Sequence, residues 1–227
     1  QITGSLMPTT ISNLIINNSN DVSLTNTTSI TNNLTFTGGK LILGSSGLTI
    51  ANDPVGYDAT RYIVTSGAGT LKRSTNTGSV IYPVGTATSY TPFTTTDNTL
   101  GDFLDVYVHN TITNTTLDNT KCVQLEWQGH EGLAGGSTGT VTFQWNVSDQ
   151  GANFNPAEPV YLGVLNGTYY KANLVSKGGT GPYTATVGAP GDPDGYPNYP
   201  VVLGNAAAFP QTPPELSADN TDNTVDH

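Results

Sequence analysis

The fold is decided by residues 11–50, ISNLIINNSNDVSLTNTTSITNNLTFTGGKLILGSSGLTI. Apolar side chains alternate along it, as Leu14/Ile16, Val22/Leu24, Leu34/Phe36, Leu41/Leu43 and Leu48/Ile50. An extended chain sends successive side chains to opposite faces, so period two marks half-buried strands. Each run is short and is closed by Asn, Ser or Gly. A shift of about 20 residues lays ISNLIINN over TNNLTFTG and Ile30 over Ile50, an internal repeat of the length of one β-solenoid coil. A solenoid coil buries its apolar face only by stacking on the next coil. An antiparallel meander with short turns has the same pattern, and the sequence leaves both open.

Beyond this stretch the alternation continues in longer runs. ANDPVGYDAT (51–60) reads as a link, and RYIVTSGAGTLKRS as two strands around a Gly-rich turn. Strands are expected in FLDVYVHNTI, KCVQLEWQG, GTVTFQWNVS, PVYLGVLNGTYYKANLVS and YTATVG, with a hairpin turn at Asn166-Gly167. In GTVTFQWNVS, Val141, Phe143, Trp145 and Val147 alternate with Thr142, Gln144 and Asn146, giving one buried and one wet face. From Gly188 prolines interrupt the pattern, VVLGNAAAF supplies a last strand, and the tail is acidic and Pro-led. The expected class is all-β: residues 1–58 a solenoid-like or meander segment, 59–209 an antiparallel β-sandwich, and 210–227 a linker or tether.

Composition agrees. Thr and Asn supply roughly a quarter of the chain, residues that favour strands and turns over helices. Seven Lys and Arg against 17 Asp and Glu give a formal charge of −10. That balance excludes a basic nucleic-acid surface, and no apolar run is long enough for a membrane helix. The single cysteine, Cys122, has no internal disulfide partner and reads as a small core residue.

The 11–50 stretch, followed by GAGTLKRS and GSVIYPVGTATSYTPFTTT, resembles the Asn/Thr-rich strand repeats of secreted multi-domain surface proteins of Bacteroidota. The second segment centres on Pro83, Val84 and Gly85, then Tyr90 and Pro92. PPELSADNTDNTVDH is similar to the opening of a further β domain of long bacterial surface proteins. The resemblance covers about residues 11 to 96 and 213 to 227. It implies export, an extracellular or cell-surface setting, a structural or adhesive role, and membership of a longer chain. It implies no particular ligand.

Groups able to carry chemistry are few. His130 lies in Trp127-Gln128-Gly129-His130-Glu131-Gly132, a loop-like stretch able to present Trp127 and Glu131 to a ligand, or else a plain turn between two strands. His109 and Asp105 share a strand face. Tyr161, Tyr169, Tyr170, Tyr183, Tyr196 and Tyr199 offer rings able to stack on sugars, with Tyr196 and Tyr199 in a Pro-rich loop. Asp192 and Asp194 are the calcium candidates, although the ladder of further oxygen ligands is missing. No GxSxG, HExxH or P-loop pattern occurs. No catalytic residue and no cofactor is expected.

The reading that follows is a non-enzymatic extracellular structural or adhesive protein. It self-associates as a filament or matrix subunit, through an N-terminal strand such as Ile2 to Thr10 or through another unpaired sheet edge. The alternative is a glycan-binding module using Trp127, His130, Tyr196 and Tyr199. A polysaccharide hydrolase or lyase ranks below both.

Overall fold

In a computed structural model, residues 1–74, 78–97, 103–113, 116–132, 139–166, 168–173, 176–188 and 199–210 are described. The repeat region contains β1 (Thr10–Asn17), β2 (Val22–Ser23), β3 (Thr28–Gly38), β4 (Leu41–Ile42) and β5 (Leu48–Ile50). It continues with β6 (Ile63–Val64), β7 (Leu71–Ser74), β8 (Gly78–Tyr82) and β9 (Val84–Gly85). Strands β1, β3, β5 and β7 pair in parallel in one sheet. Strands β2, β4, β6 and β9 pair in parallel in a second. Consecutive strands thus fall in alternate sheets, so the repeat is a solenoid and not a meander.

Stacking makes columns of like residues. Val22, Leu41, Ile63 and Val84 are in register and buried, as are Leu14 over Leu34 and Ile16 over Phe36, with Leu14 only partly covered. Each fully buried aliphatic side chain is worth about 1.5–3 kcal/mol relative to exposure, which drives one coil onto the next. The corners are tight. Gly39 has φ +73°, and a Cβ there would lie 1.9 Å from the Asn18 carbonyl oxygen of the coil before it. Asp21 adopts φ 62° at the facing corner, and its Oδ1 accepts the Lys40 amide at 2.8 Å.

The parallel ladder runs on beyond residue 58. RYIVTSGAGTLKRS does form two strands, but β6 and β7 join different sheets, so the Gly-rich segment between them is a solenoid corner. Val55, in the stretch read as a link, bridges Thr35 in parallel and so belongs to a coil.

At β7 the sheet changes direction. One edge of β7 is parallel to β5, and the other is antiparallel to β11 (Phe103–His109), which follows β10 (Phe93–Asp97). The remaining strands are β12 (Glu126–Glu131), β13 (Gly139–Trp145), β14 (Val160–Asn166), β15 (Thr168–Asn173), β16 (Ser176–Gly179), β17 (Tyr183–Gly188) and β18 (Val201–Asn205). The large sheet has the order β1-β3-β5-β7-β11-β12-β18-β14-β15, and β10-β13-β17-β16 form the other layer of a sandwich. Between the layers the rings of Tyr82, Phe93, Phe143 and Trp127 meet edge to face at centroid separations of 5.4 to 5.8 Å. One apolar cluster extends from Ile16 in the first coil to Leu203 in β18, so solenoid and sandwich share a core. A smaller cluster of Leu117, Cys122, Val202, Ala208 and Phe209 lies on the other side of β18.

Candidate functional site

The residues singled out from sequence do not assemble into one site. Residues 126–131 are strand β12 instead of a turn, and its alternation buries Glu131 along with Trp127 and separates both from His130. Trp127 points inward, is fully buried against Phe143 and has no face left for a ligand, whereas His130 points outward and is exposed. Tyr183 stacks on Trp145 at 5.5 Å and Tyr161 packs on the smaller cluster, so both serve the core. Tyr199 is 43% exposed. Tyr196, Asp192 and Asp194 lie outside the described residues, as do the side chains of Tyr169 and Tyr170.

His109 and Asp105 share the outer face of β11, as their spacing implies. His109 Nε2 lies 2.7 Å from the Gly67 carbonyl and its ring stacks on Tyr107 at 4.3 Å. Asp105 stands 3.9 Å from the Lys72 ammonium, which itself sits 3.3 Å over the Phe103 ring. These groups tie β7 and the corner at Gly67 to β11.

Buried charge is likewise engaged. Glu126 accepts the Thr113 amide and hydroxyl at 2.9 and 3.0 Å, anchoring the loop after β11. Asp149 accepts from the Ser89 hydroxyl at 2.6 Å and the Asn146 amide at 2.8 Å. Arg73, 4% exposed, occupies the column below Ile30 and Ile50, donates to the Ile81 carbonyl and pairs with Asp53. Burial pushes the Cys122 thiol up to about 12, which removes nucleophilic thiolate at neutral pH. Among the described residues no group of three His, Cys, Asp or Glu is placed to hold a metal ion. A shallow open hollow of about 280 Å³ is lined by Asn119, Thr120, Gln124, Gln150, Gly151 and Ala152. Asn119 Oδ1 and Gln150 Nε2 have no partner but are shut off from solvent, so neither is available to a molecule in the hollow.

Sequence reasoning put the pairing strand at Ile2 to Thr10, and among the described residues the edge falls one strand later, at β1. β1 is the edge strand of the large sheet, and Ile2 alone bridges β2 at the matching edge of the facing sheet. The expected strand from Ile2 to Thr10 is therefore reduced to that bridge and the first residue of β1. Ile2, Leu6 and Ile15 are 68%, 95% and 64% exposed. The signal was present as Leu14-Ile15-Ile16: three apolar residues in a row break period two, and the middle one must face solvent.

Neither protein-family models, nor curated proteins, nor solved structures match the chain. No helix among the described residues is long and apolar enough to cross a membrane.

Proposed function

We propose that the chain is a non-enzymatic structural or adhesive protein of the extracellular surface, which associates by β-strand pairing. The observation that carries the reading is β1, whose TISNLIIN sequence holds no charged residue and which, among the described residues, pairs with β3 on one side and offers its other backbone edge to a further strand of this chain or another. Proteins that remain isolated blunt such an edge with Lys, Pro or a cover, because its free N–H and C=O groups template further strands. The shared core supports the same role, since it couples a stacked ladder rigidly to a sandwich. The resemblance of residues 11 to 96 to surface-protein repeats supplies the extracellular setting. Immunogold labelling of intact source cells tests this. Label on the surface or in extracellular material is expected, and label confined to the cytosol overturns the proposal.

A further inference from the structure

We draw no further inference here: the strongest candidate, the uncharged stripe of Ile15, Thr35 and Val55 that lies in register across three coils on the outer face of the solenoid, is an unpartnered sheet face, and nothing in the structure shows what covers it.

Discussion

Arg73 occupies a position where the two preceding coils carry isoleucine, Ile30 and Ile50. Its guanidinium is buried, donates to the Ile81 carbonyl, lies 5.5 Å from the Tyr82 ring centroid and pairs with Asp53, whose carboxylate is 82% exposed. Two accounts of it make opposite predictions. If Arg73 matters as volume in the column, Arg73→Met should keep stability within about 1 kcal/mol, because relief from burying a charge offsets the lost hydrogen bond and ring contact. Arg73→Ala should then cost about 3 kcal/mol, since emptying a methionine-sized core site costs 2–5. For a chain of this length that lowers the melting temperature by about 6–12 °C. Asp53→Asn should cost about 1–2 kcal/mol, because the exposed carboxylate is already screened by water and the asparagine oxygen still accepts from the buried guanidinium. Urea denaturation followed by tryptophan fluorescence measures all three, as Trp127 and Trp145 are both buried in the shared core. If Arg73→Met falls as far as Arg73→Ala, the charge and not the volume holds the coil, and the column argument is wrong.

Gly39→Ala should destabilise by at least 1–2 kcal/mol, the left-handed backbone penalty alone, with the 1.9 Å clash against Asn18 adding to it; thermal melting reads this. Trp127→Ala should cost about 3–5 kcal/mol while His130→Ala stays within about 0.5, so chemical denaturation separates the buried from the exposed member of the pair. Burial pushes the Tyr62 and Tyr107 hydroxyls up to about 12, raises Tyr90 further, and lifts the Cys122 thiol to about 12. The folded chain therefore holds these protons more tightly than the unfolded chain. The stability they contribute is complete below about pH 9 and is lost as pH rises towards 12. Absorbance at 295 nm, compared between the native chain and Tyr62→Phe, Tyr90→Phe and Tyr107→Phe variants, should show these three tyrosines ionising together with unfolding; their ionisation near pH 10 in a chain that stays folded would contradict the burial.

The all-β class, the repeat and the inward residues of most strands could be read from the alternation, because burial of one strand face leaves a period of two in the sequence. Leu34, Phe36, Val141 and Phe143 are buried as their parity implies. The candidate sites were less legible. Trp127 and His130 are near neighbours in sequence, and a strand sends them to opposite faces where a turn would have presented both. Whether Ser, Asn and Gly close a hairpin or a solenoid corner is likewise invisible locally, since both need the same turn-forming residues.

The sequence by itself determined that strands form, where most of them break, and that the first 20 residues carry no charge. Only the tertiary structure decided that the repeat stacks in parallel, because pairing direction depends on which distant strand lies alongside. Tertiary structure also decided that β7 joins solenoid to sandwich in one sheet and that β1 is left at the edge. An edge is a property of the whole sheet: β1 and β3 have the same alternation, and what separates them is that a neighbour covers both sides of β3 and one side of β1.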